Sequence, residues 1–339
     1  MLLFPKKLLV PSIVLAIFVL PLAALSQECE KVKITDFPKN DLPKIIDTSQ
    51  AKRAELKEKG SYNYYYGIGV PVDYTRARHL AFIEMAINRE DEVPFAGASV
   101  LMMLYANGFG VKRDYTISIR LACANVGFSD AEIEGRVEHL KKLQSGDSTG
   151  VFDLCDDITS GYMSGYCESV RSELAEQSRK SVVDSVIKGW PEKDRVAYGK
   201  LRSAASGFFT ERVLSEIDMS GTARAAMEIG ESESLEEDFK QKILDADKCD
   251  FTAASPQEFQ KADEELNETY LKIMNTKKPQ WGTVTKEAIR SAQRSWIKYR
   301  DAWVVFGAVR CPQLSETSWK TLLTKERTRQ LQNFLYEYE

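Results

Sequence analysis

The chain has 339 residues, with 50 acids against 46 Lys and Arg, a net charge of −4 and 43% hydrophobic residues. This is ample for a packed core, and the negative balance argues against general nucleic-acid binding. The 2 His lie in no zinc-type spacing, and no phosphate loop, dinucleotide fingerprint or Gly-x-Ser-x-Gly elbow occurs. The sequence therefore nominates no metal, no cofactor and no catalytic residue.

Lys6 and Lys7 precede an uncharged run from Leu8 to Leu25, which ends in Ala24-Leu25-Ser26. Residues 1–26 read as a signal peptide cleaved before Gln27, which places the mature chain in the periplasm or outside the cell. Pro11 and Pro21 interrupt the apolar run and disfavour a spanning helix. After cleavage no membrane segment is expected. Residues 27–53, with Pro38 and Pro43, read as an irregular lead.

A tandem repeat occupies 54–145. At an offset of 41, Gly67, Gly69 and Val70 match Gly108, Gly110 and Val111, and Asp73-Tyr74-Thr75 matches Asp114-Tyr115-Thr116. Each copy predicts a helix, a glycine turn and a second helix, with Asp73 and Asp114 placed to cap the latter. A degraded third copy spans Ala131 to Leu143. The pattern resembles Sel-one-like repeats, relatives of the tetratricopeptide solenoids, with the extra length in the acidic turn Asn88 to Gly97. Such a short array needs a neighbour to bury its open end. That role is expected of the C-terminal half.

Ser145 to Gly150 (SGDSTG) reads as a linker. Beyond it, Tyr198–Phe209 (YGKLRSAASGFF) aligns at an offset of 98 with Trp296–Gly307 (WIKYRDAWVVFG). Residues 151–247 and 248–339 are therefore expected to form two related helical lobes. No alternating strand pattern recurs, so the expected fold is all-α: a short α-solenoid of helical-hairpin repeats followed by a two-lobed helical domain.

The C-terminal stretch is the most patterned. Leu266, Tyr270 and Ile273 share one helix face. Ile289, Ala292, Trp296, Tyr299, Trp303 and Phe306 form a stripe at steps of three and four. That stripe is expected to pack on the first helix across the Pro279–Gly282 turn. The pair resembles the signature of the LprI-type lysozyme inhibitors, secreted bacterial proteins, through Asp263, Leu266, Asn267, Tyr270, Gln293, Trp296, Tyr299, Arg300 and Asp301. Trp296, Tyr299 and Trp303 read as core. The polar members read as a set that fixes helix register, with Arg and Asp linked between adjacent helices.

All 6 Cys follow the signal, and an oxidising compartment favours pairing. The preferred pairs are Cys155 with Cys167, which resembles the family's short cysteine loop, and Cys249 with Cys311. Cys123, inside LACANVG, reads as a buried free thiol, and Cys29 lies in the lead.

Charge is unevenly spread. Glu211 to Glu268 holds 17 acids and 6 bases, a net −11, whereas Tyr270 to Glu339 holds 6 acids and 13 bases, a net +7. Glu233, Glu236, Glu237 and Asp238 could meet a basic partner surface. They could equally form a solvated face or pair with the basic half of the same domain. The resemblance implies an exported, non-catalytic protein that binds a lysozyme and blocks it by surface occlusion. The alternative is a cell-envelope scaffold that binds partner proteins through its repeats.

Overall fold

The computed structural model describes Cys29 and residues 37–87, 93–124, 128–277 and 279–336. The expected signal peptide, its cleavage site and much of the lead lie outside these residues, as does part of the acidic Asn88–Gly97 turn. Among the described residues there are twelve helices and no strand. They are α1 (Gln50–Glu58), α2 (Ser61–Tyr66), α3 (Tyr74–Ala86), α4 (Ala98–Asn107), α5 (Tyr115–Ala124), α6 (Asp130–Ser145), α7 (Gly161–Ile187), α8 (Glu192–Glu216), α9 (Arg224–Lys248), α10 (Pro256–Asn275), α11 (Lys286–Arg310) and α12 (Glu316–Tyr336). No helix among them is long and apolar enough to cross a membrane.

The tandem segments share their glycine turns and their capping bonds. Gly67 and Gly69 have φ of 80° and 67°, and Gly108 and Gly110 have 72° and 66°. These left-handed turns suit glycine. Asp73 N donates to Tyr64 O at 2.9 Å, and Asp114 N donates to Tyr105 O at 3.0 Å. Asp73 Oδ1 accepts from Arg76 N, and Asp114 Oδ1 accepts from Ile117 N, so both aspartates cap as expected. Helices α2 to α6 stack in sequence order. The buried Glu84 holds the stack together, accepting from Ser61 N and Oγ and from Gly97 N.

The lead is anchored to this stack. Phe37 packs edge-on to Phe82 at 4.9 Å, and Asp41 accepts from Tyr105 Oη at 3.0 Å and from Arg78 at 3.2 Å. Cys123 is not a free thiol, because it is joined to Cys29 across 94 residues of sequence. The other disulfides are Cys155–Cys167 and Cys249–Cys311.

The core attached to the repeats does not stop at SGDSTG. Phe152, Leu154, Met163 and Cys167 are buried in it together with α2 to α6. Asn107 bonds both the N–H and the C=O of Phe152 at 2.8 Å, and Tyr66 Oη donates to Asp153 at 2.7 Å. The first half of α7 caps the stack, and its last residues, from Val183, enter a separate core. One 27-residue helix thus serves both.

In the second core, α7 pairs with α9 and α10 pairs with α12, while α8 and α11 run against each other. The first and third helices of each expected lobe are partners, and the two middle helices meet at the centre. This corrects the expected hairpin, since the aromatic stripe of α11 packs chiefly on α8 rather than on α10. Both α8 and α11 have 25 residues, so the whole stripe is matched. Tyr299 stacks on Phe208 at 5.3 Å, and Trp303 stacks on Trp319 of α12 at 5.4 Å.

Gly307 sits where the indole of Trp319 presses against the α11 backbone, so an added Cβ would collide with that ring. Gly207 of α8 is exposed, with nothing within 4 Å of such a Cβ. The same substitution should therefore have opposite signs. G207A should stabilise by up to ~1 kcal/mol through helix propensity. G307A should destabilise by about 1–3 kcal/mol through overpacking. Denaturant unfolding of the two variants reads both values.

Candidate partner-binding surface

The acidic run lies on α9, and its four proposed contact residues do not form one free cluster. Glu233 accepts both terminal nitrogens of Arg179 and, at 2.6 Å, the hydroxyl of Ser172. Glu236 accepts Arg202 through two bonds of 2.6 and 2.7 Å. Glu237 and Asp238 are exposed, Glu237 with a neighbouring contact to Lys240 one turn on. Burial alone would raise the Glu233 carboxyl, but the bonds from Arg179 and Ser172 outweigh it and hold the group below its usual range. A carboxylate held ionised in this way suits an ion pair and not a proton donor. The partners Arg179 and Arg202 carry no sequence signal, because they reach Glu233 and Glu236 across 54 and 34 residues.

The signature residues separate by burial. Leu266, Trp296 and Tyr299 are core, and Tyr270 packs against it. Burial drives the Tyr299 hydroxyl well above its usual range. Asn267 donates to Asp263 at 3.0 Å on the outward side of α10. Arg300 pairs with its own neighbour Asp301 at 2.8 Å and lies over the Trp296 ring at 5.3 Å. No link joins these polar residues across α10 and α11, so the expected inter-helix Arg–Asp pair is absent among the described residues. The cause is local, since α10 faces α12.

Gln293 is the member that does fix register, with partners the sequence did not nominate. Its Oε1 accepts Arg327 Nε at 2.8 Å. Arg327, fully buried on α12, also grips both carboxylate oxygens of the buried Glu216 at the end of α8. Arg212 approaches Glu216 at 3.4 Å and bonds Glu231 at 2.6 Å. Four helices, α8, α9, α11 and α12, meet in this network. A second junction joins the other ends of α8, α9 and α11. Arg310 lies over Trp190 at 4.5 Å, pairs with Asp194 at 3.2 Å and with Asp247 at 2.7 Å, and stands next to the Cys249–Cys311 bond.

The loops beside the first network are latched together. Asp218 Oδ1 accepts from Thr283 N at 2.9 Å, and Asp218 Oδ2 accepts from Ser220 Oγ at 2.7 Å. The Ser220 hydroxyl, then the Thr283 and Ser220 amides, lower the Asp218 carboxyl to about 2 from an ordinary 3.8. A depressed acid contributes stability that is complete above its unfolded value and is lost as pH falls through its folded value. The Asp218 contribution should be intact above pH 3.8 and vanish as pH falls to about 2. Carboxyl-carbon NMR should give a midpoint near 2, and a midpoint at the ordinary value would show that the latch is open.

No group of His, Cys, Asp and Glu among the described residues could hold a metal ion. No curated protein matches the chain, and no solved structure does. Residues 245–331, which hold α10, α11, most of α12 and the end of α9, about a quarter of the chain, match the family model described as Lysozyme inhibitor LprI.

Proposed function

We propose that the chain is an exported binding protein that occludes a lysozyme, with no chemistry of its own. The observation that carries this reading is the match of residues 245–331 to the lysozyme-inhibitor family. The three disulfides agree with a life outside the cytoplasm, reached by way of the signal sequence over 1–26. The exposed Glu237 and Asp238, with the half-buried Glu233 and Glu236 behind them, would face a basic enzyme surface and speed its approach. Titration calorimetry of the purified mature chain against lysozymes should detect binding that weakens with salt. Charge reversal at Glu237 and Asp238 should slow association more than it speeds dissociation. An absence of heat at micromolar concentrations would remove the reading.

The repeated turns favour a second reading, in which residues 54–145 form Sel-one-like repeats that hold an envelope partner. Recovery of one stable partner, lost on deletion of that segment, would support it.

A further inference from the structure

Helices α7, α8 and α9 enclose a cleft of about 530 Å³ that lies outside the residues matched to the inhibitor family. Its floor is apolar, because Val183 and Phe239 are buried there and the Tyr198 ring lies 6.4 Å from that of Phe239. Its walls are the two forked ion pairs, Arg179–Glu233 and Arg202–Glu236. Four acids and four bases line it in all.

That balance leaves no strong pull on either a cation or an anion. What remains is a dense array of donors and acceptors above an aromatic floor. Each guanidinium commits two N–H donors to its carboxylate and keeps the others. Each carboxylate keeps acceptor sites. A matching ligand must offer donors and acceptors together, carry no net charge, and present an apolar face to a ring. An oligosaccharide does all three, and the volume lies in the range of small-molecule sites.

We propose that this cleft binds a neutral oligosaccharide, seated on Tyr198 with its hydroxyls between the two ion pairs. The cleft shares Glu233 and Glu236 with the surface proposed to face a lysozyme, but sugar binding is read without any lysozyme present, so either reading can fail without the other. The test titrates the full mature chain with tetra-N-acetylchitotetraose and with maltotetraose, followed by saturation-transfer NMR. At least one sugar should bind with a dissociation constant below ~1 mM, and binding should be insensitive to added salt. Ser232→Trp fills the cleft and Arg202→Lys removes the fork while keeping the charge. Each should weaken binding at least ~tenfold, and R202K decides if S232W lowers the melting temperature. Three results would overturn the proposal: no binding of either sugar at millimolar concentration, binding that both variants leave unchanged, or salt-sensitive binding of a lysine-rich peptide in place of the sugars.

Discussion

Arg327→Met should lower the free energy of unfolding by about 3–5 kcal/mol, the usual cost of removing one member of a buried ion pair. Arg327 is fully buried, holds both oxygens of Glu216 and donates a further bond to Gln293. Its loss leaves the Glu216 carboxylate with only the longer contact to Arg212 at 3.4 Å. The substitution itself supplies apolar volume, so the deficit comes from the stranded charge and not from a cavity. This separation can be tested. Adding Glu216→Leu to the Met variant removes that charge, and the double variant should recover much of the loss. Denaturant unfolding of the two singles and the double gives the coupling energy directly. Additive costs would mean that the pair is solvated and that the network is not what joins α8, α11 and α12.

The second large effect should come from Cys249–Cys311. This bond closes a stretch of 62 residues, for which chain entropy alone gives about 4 kcal/mol. It also ties the ends of α9 and α11 at the point where Arg310 holds Trp190, Asp194 and Asp247. The C249A/C311A variant should lose that amount, and Cys311, which is fully buried, leaves no polar group behind when replaced by Ala. The comparison is internal to the protein. Cys155–Cys167 closes only 12 residues, so its removal should cost about 3 kcal/mol on the same account. Equal and small losses for both variants would show that the unfolded chain is already constrained near these sites.

The sequence made local structure legible and left partners largely hidden. The glycine turns at Gly67 and Gly108 and the caps at Asp73 and Asp114 are written in adjacent residues, so each could be read without the rest of the chain. The α11 stripe was legible as a buried face because helical period alone specifies it. Which helix it meets was not, because period says nothing about a partner. The stripe found α8, a helix of its own length, and α10 turned to α12.

The same limit explains the candidate site. Four acids close together in sequence leave open a charged patch, a solvated face or pairing with the basic half of the domain, and two of them pair instead with Arg179 and Arg202 from α7 and α8. Arg327 and Glu216 are 111 residues apart, and nothing local marks either as buried. Cys29 could not be paired by pattern, because the lead carries no periodicity. Its anchorage through Phe37 and Asp41 depends on aromatic and polar neighbours in the repeats. The SGDSTG segment was legible as a loop, but a loop in sequence need not divide a core, and Phe152 and Leu154 return to the repeats beyond it.

The central claim is occlusion of a lysozyme by a protein that performs no reaction. Its most direct test is the rate of cell-wall lysis by lysozymes in the presence of a molar excess of the purified, disulfide-bonded mature chain. The account predicts a stoichiometric loss of lysis with no turnover of wall by the chain itself. Undiminished lysis across the panel of enzymes, or wall cleavage by the chain alone, would contradict it.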